Sequence, residues 1–215
     1  MKKYIIGMDI GTQSTKVHLY DDGLTLVAEA SREQFVDTPK PMWMTQKASG
    51  WWSRLTESVK EVMEKAKITG EDVAAFGCCA HMHGAVPVRW DGSLVQDDIQ
   101  LYSDKRGGYL SDRIAQQMTD DIFNISANMP IPSWHGIKIK WLKENEPEVY
   151  EQADKFLTPK DFINFKLTGR ACIDYSEGMG VFAMDWKTGE WSDELLGILG
   201  IDKDKLPEIQ KSYEI

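Results

Sequence analysis

An acidic residue, a glycine and a run of hydroxyl and amide side chains stand together in Asp9-Ile10-Gly11-Thr12-Gln13-Ser14-Thr15-Lys16, straight after the apolar run Tyr4-Ile5-Ile6. A strand that delivers a carboxylate to its tip and then turns through donors suits phosphate oxygens and a divalent cation. Gly11 lets backbone approach a ligand closely. Thr12, Gln13 and Ser14 can donate to phosphate, and Lys16 adds charge if it points the same way, although strand alternation can turn it out. Asp9 would repel bare phosphate, so its role there would be to bind a metal ion, directly or through water. A plain hairpin with polar turn residues is the competing reading.

Two further groups can do chemistry. In His81-Met82-His83-Gly84, at the end of another apolar run, His83 can donate to a substrate hydroxyl and Met82 can cover an apolar carbon face. The alternating histidines also have a zinc-like spacing, but no third ligand follows at a familiar interval. A histidine satisfied by backbone carbonyls is the plainer alternative. Asp104 and Arg106 can pair across a cleft with a sugar hydroxyl, or Asp104 can cap the next helix. Trp43, in a loop, can stack on a substrate face. Trp52 reads as core, and Cys78 and Cys79 as small buried groups.

Elements must hold these residues in place. Apolar runs at 4–8, 15–20 and 24–30 read as three short strands. Asp22-Gly23 marks a hairpin in which Gly takes positive φ, so an antiparallel meander is expected. A helix starting near Ser49 shows Trp52, Leu55, Val59, Val62 and Met63 at helical spacing. Gly70 follows it, and 73–80 reads as a buried strand. A meander followed by a helix and a further strand predicts an α/β domain of the actin-like ATPase, or ribonuclease-H-like, type with a mixed sheet. Helical patterns at 109–118, 137–145, 147–153 and 159–167, and weaker ones at 174–184 and 192–199, read as an insertion in a single domain. Gly169 closes the helix that ends in Leu167-Thr168.

The chain has 215 residues, 42% hydrophobic and 27% charged, with a net charge of −9. That balance suits a globular domain and argues against broad nucleic-acid binding, which needs a basic footprint. The three cysteines make neither a zinc spacing nor an even disulfide set. The start lacks a long apolar segment and no run reaches bilayer length, so no membrane partner and a cytoplasmic location are expected.

Together these segments resemble the FGGY family of carbohydrate kinases, over essentially the whole chain. The carrying residues are 9–16, Met82-His83-Gly84-Ala85, Asp104 with Arg106, Pro159-Lys160-Asp161, Leu167-Thr168-Gly169, Asp174 with Ser176, and Trp191-Ser192. Met-His-Gly-Ala resembles the branch that phosphorylates D-xylulose, since glycerol kinases carry Arg-Glu there. Tyr102-Ser103, where the family usually has Trp-Asn, departs from the pattern.

The resemblance implies the amino-terminal, sugar-side lobe of a two-lobed kinase using ATP and Mg2+. Asp9, Gly11, Thr12, Gln13, Ser14 and Lys16 would face the transferring phosphate and its metal. Met82, His83, Gly84, Asp104, Arg106 and Trp43 would face a ketose. The general-base aspartate and the ATP lobe would lie beyond Ile215, so the chain alone is expected to be inactive, with the edge of the 73–80 strand bared and a homodimer as one outcome. The alternatives are a sugar-binding or regulatory protein on the same lobe, or a kinase of ribulose, gluconate or glycerol.

Overall fold

The computed structural model describes residues 3–213. These form two compact units, one from residues 3–36 and 47–81, the other from residues 37–46 and 82–213.

The first unit is the mixed sheet. Strands β1 (Tyr4–Ile10), β2 (Ser14–Tyr20) and β3 (Leu26–Glu33) form an antiparallel meander, and β5 (Val73–Ala80) lies parallel to β1, in the order β3-β2-β1-β5. This is the expected actin-like arrangement. Alternation in β1 and β2 buries Tyr4, Ile6, Met8, Ile10, Thr15, Val17 and Leu19 on one face. Helix α1 (Ala48–Ala66) covers that face through Trp51, Leu55, Ser58 and Val62, one per turn. Each such apolar side chain contributes about 1.5–3 kcal/mol when fully buried. Lys67, at φ 54°, ends the helix, and the Ile68 amide reaches back to the Met63 carbonyl.

Four sequence expectations need correction here. Trp51, not Trp52, is the fully buried tryptophan, because it falls on the Leu55 stripe. Strand β5 is extended as expected but is mostly exposed, since it forms the edge of the sheet beyond the reach of α1. Cys79 is therefore exposed and Cys78 only half-buried. In the β2–β3 turn the positive φ falls on Leu24, at 59°, and not on Gly23. The Asp21 carboxylate accepts from the Gly23 and Thr25 amides and shapes a longer loop than a two-residue hairpin needs.

The second unit is helical with short two-stranded ladders. Strand β4 (Thr45–Lys47) pairs with β7 (Asp98–Gln100), and β6 (Val86–Val88) with β8 (Lys155–Leu157). Strands β9 (Cys172–Asp174) and β12 (Glu208–Gln210) run parallel, and β10 (Met184–Asp185) meets β11 (Glu190–Trp191). The helices are α2 (Gly108–Ala115), α3 (Asp120–Ser126), α4 (His135–Asn145), α5 (Pro147–Gln152), α6 (Pro159–Thr168), α7 (Tyr175–Met179) and α8 (Asp193–Leu199).

Helix α4 is the core element. It is buried nearly all round from His135 to Leu142, against Leu110, Phe182 and Leu199 among others. Local signals set the other helices. Thr158 caps α6 and Gly169 closes it at φ 74°; Ser192 caps α8 and Gly200 closes it. Helix α3, capped by Thr119, was not anticipated, because only Ile122 and Ser126 of its seven residues are buried. The helix expected over 174–184 shrinks to α7: Asp174 caps it, and the chain leaves helical geometry after Gly180.

Candidate functional site

Two strand tips carry the candidate residues, one in each unit. In the first unit, pairing of Asp9 with Lys16 puts both on the sheet face opposite α1. Lys16 is exposed and Asp9 half-buried. The turn is closed by the Gly11 amide donating to the Ser14 carbonyl, 2.9 Å. Gln34, buried beside it, donates its side-chain amide to the Gly11 carbonyl at 2.8 Å, and its backbone amide to the Gln13 carbonyl.

Asp9 accepts from the Cys79 thiol, a weak donor, at 3.5 Å. Burial, and then the Asp9 charge, push that thiol's pKa up, so it stays protonated and donating. The Thr15 hydroxyl is buried and has no protein partner among the described residues.

In the second unit the chain leaves β5 and turns through residues 82–84. Met82 is exposed. His83 takes a left-handed backbone conformation, φ 64°, a cost of about 1–2 kcal/mol for a residue with a Cβ. Four contacts hold it there. Lys138, 2% exposed, donates to the His83 carbonyl at 2.9 Å and to the Ser133 carbonyl. His135, on the first turn of α4, bonds the Gly84 carbonyl through Nδ1 at 2.9 Å. The His83 ring lies on Gly180, where a Cβ would sit 2.3 Å from His83 Cε1. Trp134 meets the same ring edge-on, 4.9 Å between centroids. Gly84 is equally committed, since a Cβ there would come within 2.9 Å of Pro159.

This packing sets the electrostatics. Burial, reinforced by the Lys138 charge, lowers His83 to about 4. Burial likewise takes His135 down to about 3. Lys138 is lowered by burial to about 7, with Asp104 opposing and Lys105 and Arg106 adding to the shift. Both imidazoles are therefore neutral near pH 7. The His83 Nδ1 is buried without a partner among the described residues, which leaves Nε2 as the nitrogen able to meet a ligand.

Asp104, Arg106 and Trp43 are brought together, bound to one another. The Asp104 carboxylate, 1% exposed, accepts from the Met44 amide at 2.7 Å and from the Arg106 amide and guanidinium. The guanidinium lies 3.6 Å from the Trp43 ring centre and 5.0 Å from that of Trp141. The capping alternative for Asp104 is corrected, because Gly107 stands at the α2 N-cap. The residues clamp loop 37–46 onto α4.

Sequence reading missed His135, Lys138, Gly180 and Gln34. Lys138 had a visible signal: a lysine set between Ile137 and Ile139 in an otherwise apolar helix core. A second buried charge cluster joins Lys160 to Asp161 and, at 2.9 Å, to Asp174. Beside it, burial and the Asp161 charge raise Glu177 to about 7.

Residues 4–215 match the model of the FGGY family of carbohydrate kinases, N-terminal domain. The xylulose kinase of Escherichia coli strain K12 is 29% identical over 214 residues, covering 98% of this chain and 43% of that protein. A glycerol kinase of Geobacillus sp. strain WCH70 is 30% identical over 225 residues, 100% of this chain and 45% of its own length. A solved xyloylose kinase from Brucella ovis superposes with a TM-score of 0.86 at 25% identity, over 96% of this chain and 42% of that one. The chain thus spans less than half the length of these relatives. It belongs to the FGGY family of carbohydrate kinases, of which it carries the N-terminal domain.

Proposed function

We propose that this chain is the sugar-side lobe of an ATP-dependent kinase that phosphorylates a ketose, D-xylulose before other sugars. The observation that carries this reading is the residue 82–84 tip. A neutral imidazole is held with one nitrogen buried and the other available to donate to a hydroxyl, next to an exposed methionine. Such a pair suits a polyhydroxylated carbon chain, one polar contact beside one apolar one. Similarity to xylulose kinases supports the ketose; similarity to a glycerol kinase supports the reaction class.

The first unit's tip suits the phosphate side. Among the described residues the Asp9 carboxylate accepts only from the Cys79 thiol, and Lys16 stands beside it on the same face. These residues fit magnesium-bound phosphates: Asp9 would hold the ion directly or through water, and Lys16 and the Thr12, Gln13 and Ser14 donors would neutralise phosphate oxygens. ATP with magnesium supplies the phosphoryl group when bound. The chain's own residues orient the sugar hydroxyl and offset charge, and none of the residues named here is assigned as the general base. Asp104, Arg106 and Trp43 serve the sugar side by fixing the loop that flanks α4.

Among the described residues no helix is long and apolar enough to cross a membrane; the cytoplasmic location proposed here rests on the small-sugar reading alone. The open β5 edge offers a surface for a second copy.

The test is calorimetry and ATP-coupled turnover of the full-length polypeptide with D-xylulose, D-ribulose, gluconate and glycerol. D-xylulose is expected to give the highest kcat/KM, and His83→Ala to lower it through KM. Preference for glycerol or gluconate, or a His83→Ala enzyme with unchanged KM, overturns the reading.

A further inference from the structure

Left-handed backbone at His83 does not hold itself, and the surrounding residues show what opposes its relaxation. The tip's two carbonyls, those of His83 and Gly84, are both bound to α4: one by Lys138, the other by His135. The bonds differ in kind. His135 makes a neutral bond, whereas Lys138 brings an amino group, still partly protonated at neutral pH, into the core to join the His83 carbonyl to the Ser133 carbonyl at the start of α4.

An apolar residue of similar length would fill that space without the cost of burying a charge. A buried lysine bonded only to backbone is therefore poorly explained by stability. Its two acceptors locate its effect, because they are the residue whose ring faces the proposed sugar and the residue next to Trp134, whose ring packs edge-on against that same imidazole. No carboxylate makes an ion pair with Lys138 among the described residues; Asp104, the acid that favours its charge, is already bonded to Arg106 and Met44. Lys138 is thus committed to the tip.

We infer that Lys138 is a positioning residue for sugar recognition: by tying the His83 carbonyl to the Ser133 carbonyl it fixes the left-handed turn that aims the His83 ring. The inference rests on the reading that His83 meets the sugar. Without the ammonium, the peptide at His83 can return to an ordinary negative φ, and the ring lifts off Gly180. Lys138 touches no substrate itself, and its charge reaches the ring through space. The other charged and titratable groups around it are His83, His135, Asp104, Lys105 and Arg106.

The experiment compares Lys138→Met, Lys138→Gln and His83→Ala in the full-length protein, with D-xylulose KM and the His83 ring titration followed by NMR. The His83→Ala spectrum identifies the His83 resonance by its loss. Lys138→Met is expected to raise KM by about tenfold, the weight of a lost charged hydrogen bond, with kcat little changed. The His83 pKa should rise from about 4 toward its ordinary value. Lys138→Gln, which keeps a donor, should recover part of the KM. Should Lys138→Met not fold, Lys138→Gln carries the test, with an intermediate KM and the same direction of His83 titration expected.

A folded Lys138→Met enzyme with native KM and an unmoved His83 titration overturns the inference. If that happens while His83→Ala still raises KM, the sugar-site reading survives alone. If His83→Ala leaves KM unchanged, both fall.

Discussion

The two strand tips solve the same task in opposite ways. The tip in the first unit is an extension of a regular ladder. Asp9 and Lys16 share a face because antiparallel pairing puts them opposite each other, and Gln34 adds a side-chain brace on its backbone. The tip in the second unit has no ladder. Residues 82–84 take their shape from a buried ammonium, a buried imidazole and a glycine that admits the His83 ring. One tip is aimed by backbone hydrogen bonding, the other by side chains drawn from α4 and by the room left at the glycine that ends α7. A ladder leaves its outward side chains open to ligands with modest reorganisation. A side-chain network is dearer, because each buried polar member needs a partner, but it can hold a conformation that no ladder supplies.

The contrast can be broken at either tip. The largest effect belongs to the first: Asp9→Asn should lower phosphoryl transfer by about 10²–10³-fold, the scale of a lost electrostatic contact to developing charge. The same change should leave the free energy of urea unfolding within about 0.5 kcal/mol of the parent. Large loss of stability instead would mean that Asp9 serves the sheet.

Next comes the acid response of the second tip. Folded His135 titrates near 3, whereas the unfolded side chain titrates near 6.5. Between those values the unfolded state binds the extra proton, so stability is full above pH 6.5 and falls as the pH drops toward 3. By pH 4.5 this group alone removes about 2–3 kcal/mol. His135→Asn should flatten the acid limb of a pH series of melts by that amount. Glu177 acts with the opposite sign: its raised value near 7 makes its share of stability largest at low pH and lost as the pH rises through neutrality.

Gly180→Ala places a methyl 2.3 Å from His83 Cε1. It should cost about 1–3 kcal/mol as an overpacked substitution and weaken sugar binding as well. A variant of native stability with native KM would show that the ring has room to move. Smallest is Gln34→Ala, which removes the brace on Gly11 and should cost about 1 kcal/mol in denaturant unfolding. A loss as large as that from Gly180→Ala would erase the distinction between the tips.

Legibility in the sequence followed the same division. Periodicity and turn residues gave the meander, α1, the extended 73–80 segment and most helices of the second unit, since each is written in consecutive residues. The Asp9 tip was readable for that reason. Burial was less so. The 73–80 run is apolar enough for a core strand, yet it lies at the sheet edge, and no local pattern records which neighbours a strand has. Lys138, His135 and Gly180 lie roughly 50 to 100 positions from His83 along the chain, so their convergence is a property of the fold and not of any motif. Asp104 shows the limit from the other side: a loop Asp before a helix resembles a cap, and only tertiary structure reveals that its carboxylate faces Met44 and Arg106.

The division of the chain also sets an order of events during synthesis. The strands and helix of the first unit are complete once residue 81 has been made, but residues 37–46, which lie inside that stretch, belong to the second unit. The Met44 carbonyl waits for the Leu101 amide, and Trp43 waits for Trp141. At about 5–20 residues per second, the last of these partners follows some 5–20 s after Trp43. Through that interval the growing chain holds a finished sheet interrupted by a tryptophan-bearing loop whose partners, Leu101, Arg106 and Trp141, arrive one after another. Any aid the nascent protein needs from a chaperone would be needed there, at a loop that is clamped between an arginine and α4 once folding is done.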